Sequence, residues 1–194
     1  MEYFMLIIGA VFINNFILVQ FLGICPFLGV SKKTESALGM GIAVVFVMTL
    51  SSIITYSLYK WVLVPLNLVF LKTIIFIFVI ASLVQMVEMV IKKLSPSLYS
   101  ALGVYLPLIT TNCAILGVAE LLIEGSVKDI IISNLFMATS YAFFAGVGFT
   151  LAIVLMSGLR EKLDRQHLPK SLKGFPITLV TACLMAMAFS FFTF

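Results

Sequence analysis

One phrase capable of metal chemistry occurs twice in the chain. Cys25-Pro26-Phe27-Leu28-Gly29-Val30 returns as Cys113-Ala114-Ile115-Leu116-Gly117-Val118, so both places read Cys-x-x-Leu-Gly-Val. Both copies lie in strongly apolar stretches. Thiolate is a soft ligand suited to iron–sulfur clusters, zinc or copper(I), and its charge is costly in apolar surroundings unless a metal neutralises it. The plainer reading of each cysteine is a small buried hydrophobe, because free cysteine packs well in cores. Against it stand the shared phrase and the chain breakers and polar residues beside both copies. We read Cys25 and Cys113 as half of a metal-cluster site within a membrane. Asn112, Thr111, Gly29 and Gly117 are the candidate neighbours that shape the surroundings of the sulfurs. Cys183, in Thr181-Ala182-Cys183-Leu184, has no repeat partner and no flanking breaker, and reads as packing. Three cysteines fall short of the four thiolates of a standard iron–sulfur cluster. Any cluster here must take ligands from another chain.

Other polar residues within apolar stretches carry two readings each. Asn14, Asn15 and Asn112 either hydrogen-bond between helices or satisfy backbone groups freed at a helix break. For Asn14 and Asn15 the structural role is the expectation. Glu88 and Glu120 are intramembrane carboxylates and so candidates for an ion path, although Lys92, four residues on, can neutralise Glu88. The single His167 sits in a basic loop, which excludes a haem held by two histidines of this chain. There is no Gly-rich phosphate loop, no nucleophile elbow and no His-Glu-x-x-His, so nothing points to a self-contained hydrolase or nucleotide-binding enzyme.

The elements that position these residues follow from composition. Of 194 residues, 62% are hydrophobic and only 10% charged, where a soluble domain carries about 25% charged residues. Several apolar runs reach the ~20 residues needed to cross a bilayer core, and they are continuous rather than alternating, which excludes a membrane barrel. The expected fold is an all-α integral membrane protein, a single transmembrane domain over residues 1–194. Its six apolar segments are at about 4–30, 37–58, 68–91, 99–123, 129–158 and 174–193. The start, Met1-Glu2-Tyr3-Phe4, lacks a basic region, so the first run is expected to stay as a helix. The net charge of +4 is a topology signal rather than a nucleic-acid signal, because the basic residues flank apolar spans. Lys32, Lys33, Lys92, Lys93, Arg160, Lys162, Arg165, Lys170 and Lys173 fall in one set of loops, and Lys60, Lys72 and Lys128 in the other. The richer set should face the cytoplasm, with both termini outside. Glu2, Glu124 and Asp129, on the outer side, carry little weight in this count.

The two cysteine phrases lie in segments 1 and 4, an odd number of spans apart. The halves, about 1–95 and 96–194, must then run in opposite directions, as two inverted three-helix repeats that place a shared site near the midplane. A weaker echo pairs Gly39-Met40-Gly41 with Gly146-Val147-Gly148. Segment 1 is interrupted by Gly23, Pro26 and Gly29, and segment 4 by Pro107 and then Thr110-Thr111-Asn112. Proline removes a helix hydrogen bond and clashes with the preceding turn, and freed backbone groups are tolerated in lipid only when protein or water satisfies them. Helices 1 and 4 are therefore predicted to be pairs of half-helices meeting near their cysteines, with the two breaks facing each other.

Asn14-Asn15-Phe16, the run Phe21 to Lys33, Leu102-Gly103, the run Leu106 to Ala114, and Gly158 to Leu163 together resemble the A subunits of Rnf electron-transport complexes. The resemblance covers essentially the whole chain. A sister family, the E subunits of the Na⁺-translocating NADH:quinone oxidoreductase, is the alternative; it typically has Glu-Asn-Met at residues 14–16 and Cys-Thr-Phe at 25–27. The resemblance implies a homologous membrane partner, the Rnf E-type subunit, in opposite orientation, each of the two giving two cysteines to one [2Fe–2S] cluster. The ligands carried over to this chain are Cys25 and Cys113; Cys183 matches none. It further implies a cell-membrane assembly with the Rnf B, C, D and G subunits that moves electrons between ferredoxin and NAD and couples this to Na⁺ or H⁺ translocation. A cluster at mid-depth would divide a crossing of about 30 Å into two shorter electron hops. Two other readings stay open: a small-solute secondary transporter built on inverted repeats, and a purely structural anchor for other subunits.

Overall fold

The structure, a computed structural model, describes residues 6–31, 33–66, 68–94, 106–124, 126–127, 130–131, 135–166 and 174–191. Glu2, Lys32, Leu102, Gly103, Lys128, Asp129, His167, Lys170 and Lys173 lie outside the described residues.

Continuous apolar sequence in lipid has to satisfy its backbone within each segment, which selects helix. Among the described residues seven α-helices follow: α1 (Ile24–Val30), α2 (Thr34–Leu58), α3 (Lys72–Leu94), α4 (Leu106–Thr110), α5 (Cys113–Glu124), α6 (Leu135–Asp164) and α7 (Phe175–Ser190). The extended pairing among the described residues is a two-residue antiparallel rung, Ser126↔Ile131 and Val127↔Ile130, and forms no layer. Three stretches are long and apolar enough to cross a bilayer: Thr34–Leu63, where α2 runs on through a π-helical turn at Tyr59–Leu63, Val69–Val90 and Leu135–Asp164. The first and fourth apolar segments are interrupted, as described below, and α7 is a shorter apolar helix.

The core is the crossing of α2 and α6. Ala37, Met40, Val44, Val47 and Met48 of α2 face Ala138, Tyr141, Ala145, Phe149, Ala152 and Met156 of α6, all of them buried. These positions repeat at threes and fours, the spacing of a shallow left-handed crossing. The opposite face of α2, with Leu38, Ile42 and Phe46, is exposed and equally apolar, as expected of a helix that meets lipid or a partner on its outer side. Ser51, Ser52 and Thr55 are buried in α2 and bond back to the carbonyls of Met48, Thr49 and Ser51 at 3.0, 2.8 and 2.7 Å, so none leaves a hydroxyl bare.

Small residues let the two helices approach closely. A Cβ on Gly146 would lie 2.9 Å from Val45 Cα, one on Gly148 would lie 3.1 Å from Val11 Cα, and one on Gly41 would overlap the Thr150 side chain. Gly41 and Gly146 of the faint glycine echo thus mark the core crossing, and Gly148 seats the first segment, at Val11, against α6. Gly146→Ala presses a methyl group against backbone that cannot rotate away. It should cost about 2 kcal/mol, the range seen for overpacking. Gly158→Ala, on the same helix with nothing within 4 Å, should instead stabilise by up to ~1 kcal/mol. Thermal unfolding of the detergent-solubilised assembly distinguishes the two.

On the other flank, α3 exposes Ile74, Ile77, Phe78, Met86 and Met89. It is tied to α5 at one end. The Thr73 hydroxyl donates to Glu120 Oε1, and Lys72 Nζ lies 3.6 Å from Glu124 Oε1. Glu120 therefore joins two helices here, whereas Glu88 lies half-buried along α3.

Candidate functional site at the paired helix breaks

Residues 6–8 are helical and continue into a π-helical turn at Gly9–Ile13, which ends where the Asn14 N–H donates to the Gly9 carbonyl at 2.7 Å. The chain then leaves the helical path until Gly23. Asn15, 1% exposed, organises this excursion. Its Nδ2 donates to the carbonyls of Val11 (3.2 Å) and Gly148 (3.0 Å), and its Oδ1 accepts the N–H groups of Ile17 (3.2 Å) and Leu18 (3.3 Å). All four of its hydrogen-bonding capacities are used, and one stitches the break to α6. Phe16 adds an edge-on contact with Tyr141, ring centroids 6.5 Å apart. The excursion closes through two left-handed residues, Phe21 (φ 57°) and Gly23 (φ 81°). A phenylalanine there is strained, and such strain gathers at functional sites.

The break lies upstream of where the sequence placed it. Pro26 and Gly29 are inside α1, and Pro26 is its third residue. In the first turn a missing N–H costs nothing, because that donor has no carbonyl partner within the helix. Pro26 helps to start the half-helix and does not interrupt one. Pro107 is likewise the second residue of α4. The second break is confined to Thr111 and Asn112, between α4 and α5. Asn112 caps α5: its Oδ1 accepts the Ala114 N–H at 3.0 Å and its carbonyl accepts the Ile115 N–H at 3.1 Å. Asparagine is among the strongest residues at this position.

The two breaks touch. A Cβ on Gly23 would meet Asn112 Oδ1 at 3.0 Å, Phe149 at 3.0 Å and Ala114 Cβ at 3.1 Å; one on Gly117 would meet Leu22 Cδ1 at 2.7 Å. Gly23→Ala combines a left-handed backbone, costing ~1–2 kcal/mol, with this crowding. Together they should destabilise by about 3 kcal/mol and separate the breaks. A lowered unfolding temperature of the assembly, with α2 and α6 still formed, is the expected reading. Gly29 is different: nothing lies within 4 Å of a Cβ built there.

Both cysteines emerge at this contact. Cys25 is the second residue of α1 and Cys113 the first of α5, and both are exposed. Their neighbours Pro26, Phe27, Ala114 and Ile115 are buried, so each sulfur stands at the edge of a packed wall. Neither Cys25 nor Cys113 is packed inside this chain. Cys183 is exposed too, on the outer face of α7 beside Leu184. Thr111 is exposed next to the second break. The described residues contain no cluster of three or more His, Cys, Asp or Glu able to hold a metal. The donor set therefore fits half of a thiolate site and no more. Among the described residues two buried polar atoms have no hydrogen-bond partner, Asn112 Nδ2 and Tyr141 Oη.

The sequence matches the family described as "Rnf-Nqr subunit, membrane protein" over residues 3–194. The chain belongs to the Rnf-Nqr family. It is 59% identical over 184 residues to the A subunit of the Na(+)-translocating ferredoxin:NAD(+) oxidoreductase complex of Acetobacterium woodii, covering 95% of this chain and 93% of that one. It is 50% identical over 192 residues to the A subunit of the ion-translocating oxidoreductase complex of Escherichia fergusonii, covering 99% and 96%, with the same figures for the Escherichia coli protein. Within this Rnf-Nqr chain, the sequence offered Asn15 for hydrogen bonding between helices or for backbone freed at a break, and its contacts do both. Arg160, read from the sequence as a topology charge and as part of the run Gly158 to Leu163, also reaches the end of α1, with Nη1 2.9 Å from the Leu28 carbonyl.

Proposed function

We infer that this chain is the A-type membrane subunit of an ion-translocating oxidoreductase complex, and that Cys25 and Cys113 are its two ligands to an intramembrane [2Fe–2S] cluster. The observation that carries the reading is the contact between the two helix breaks, which sets each cysteine, exposed, in the first turn of a helix. The sister E-type reading is weaker, because the full-length relatives at 50–59% identity are A subunits. Two cysteines of a homologous E-type subunit, running the other way through the bilayer, complete the set. Six spans in two inverted repeats, at about 1–95 and 96–194, with both termini outside the cytoplasm of a cell membrane, accommodate this pairing. The B, C, D and G subunits complete the assembly.

When bound, such a cluster takes up and gives back one electron at a time. This chain's residues do the rest. Cys113, at the start of a 12-residue helix, meets the positive end of that helix's dipole, an end that suits the negative charge of a metal-bound sulfur. Asn112 fixes the direction of that helix by capping it, and Thr111 borders the break on its exposed side. Gly117 lets the first break approach the second. The buried Phe27, Ile115 and Phe149 keep water from the wall behind the sulfurs, and the dryness of such a wall is one determinant of cluster potential. The subunit carries electrons as one part of a ferredoxin:NAD oxidoreduction coupled to Na⁺ or H⁺ movement.

The test is anaerobic purification of the whole complex, followed by iron and acid-labile sulfide analysis and EPR of the reduced sample. A [2Fe–2S] signal beyond those of the soluble iron–sulfur subunits is expected. Its absence from a fully assembled, metal-replete complex would falsify the assignment.

A further inference from the structure

The two half-helices that carry the cysteines are secured by different means. Cys113 lies on α5, which has its own cap in Asn112. Cys25 lies on α1, only 7 residues long, and a helix of that length does not hold itself together. Its C-terminal carbonyls have no partners within the helix. One of them is taken by a residue 132 positions away: Arg160 Nη1 donates to the Leu28 carbonyl at 2.9 Å and to Ser31 Oγ, also at 2.9 Å. Leu28 is three residues after Cys25, on the same helical face. A cation at this end is also favoured by the helix dipole.

The neighbouring residues of α6 hold the other side of the same corner. Glu161 Oε1 accepts the Thr34 N–H at 3.0 Å and the Thr34 hydroxyl, and so caps the start of α2. Ser157 Oγ donates to Thr34 Oγ1 at 3.4 Å. Ser157, Arg160 and Glu161 are spaced to share one face of α6. The 30-residue α6 spans ~45 Å, longer than the ~30 Å hydrocarbon core, so this end reaches past the lipid tails, where an arginine and a glutamate are tolerated.

We propose that Arg160 is a positioning residue for Cys25, fixing the direction of α1, and hence of the Cys25 sulfur, from the end of α6. The proposal rests on the reading of Cys25 as an iron ligand, and the test separates the two. The whole complex is purified anaerobically with wild-type sequence, Arg160→Gln, Arg160→Lys or Lys162→Ala, the last an exposed neighbouring cation. Hydrogen exchange is followed at residues 25–31 and 113–124, and the EPR line shape and midpoint potential of the reduced cluster are recorded. Loss of a charge-assisted hydrogen bond should speed exchange at 25–31 by about tenfold or more in Arg160→Gln, with 113–124 unchanged. The cluster signal should broaden or shift in the same variant. Arg160→Lys, which keeps the charge but not the two-acceptor fork, should restore most of the protection and part of the signal, and Lys162→Ala should match wild type.

Unchanged exchange at 25–31 in Arg160→Gln, or equal acceleration in both half-helices, overturns the positioning role. So does accelerated exchange with an unaltered cluster signal. If Arg160→Gln does not assemble, Arg160→Lys decides by the same two measurements. A wild-type complex without the [2Fe–2S] signal removes the ligand reading alone, and the exchange data then decide whether Arg160 holds α1.

Discussion

Cys25→Ala and Cys113→Ala each leave a complex that assembles but neither shows the [2Fe–2S] signal on reduction nor passes electrons between ferredoxin and NAD. On the proposed ligand role, the loss of turnover should exceed the ~100-fold that removing an outer-shell partner of a metal site can cost. Both side chains are exposed on this chain and outside its packed core, so the fold of the subunit itself should change little, and what is lost is the stabilisation that a bound cluster gives. That combination separates chemistry from folding, since the protein should be present at normal levels in membranes and its partners should co-purify. Cys183→Ala, on the outer face of α7, should retain both signal and turnover. If either Cys25→Ala or Cys113→Ala keeps the intramembrane signal and full electron transfer, the two cysteines are not ligands.

Asn15→Ala should have the largest effect on folding. The substitution strips hydrogen bonds from the N–H groups of Ile17 and Leu18 and from the carbonyls of Val11 and Gly148, all in a dry interior. Each buried group left bare costs ~1–3 kcal/mol. The two carbonyls retain some capacity within their own helices, so the two N–H groups dominate, for a total of about 4 kcal/mol. That is a large part of the stability of an ordinary domain. The expected outcome is little or no protein in membranes at growth temperature, or a sharply lowered unfolding temperature of whatever assembles. Asn14→Ala is the comparison. Asn14 enters the same turn through its backbone N–H, which alanine keeps, so accumulation near wild-type levels is expected. Equal losses for the two variants would mean that Asn15 is not the residue that organises the break.

The apolar runs made the continuous helices legible, because lipid leaves the backbone no other option. Their ends were less so. α6 runs to Asp164 and α3 to Leu94, beyond the apolar limits at 158 and 91, since hydropathy measures contact with lipid whereas Arg160, Glu161 and Lys162 extend the helix into water. The chain breakers beside the two cysteine phrases pointed to two broken helices, and the two breaks are in contact at Gly23 and Asn112. They misplace the first one because Pro26 reads as a breaker in an apolar run, whereas in a first turn proline is a starter. Both readings of Asn15 meet in the structure, which bonds it across to α6 and to the freed N–H groups of Ile17 and Leu18, and the partner across 133 positions is one that no local pattern encodes. The same limit hid Arg160. Its contacts with Leu28 and Ser31 exist only because the α2–α6 crossing brings the far end of one helix over the corner preceding the other.

The exposure of both sulfurs bears on how the protein is made. A copy that has reached the bilayer but not yet met its counterpart carries three exposed sulfhydryl groups, two of them, Cys25 and Cys113, at the paired breaks. Any oxidant dissolved in the membrane could convert them to sulfenic acid or beyond. On the proposed reading of Cys25 and Cys113 as iron ligands, meeting the partner subunit and receiving iron are best served by occurring close together in time, because an oxidised copy no longer offers its two thiolates.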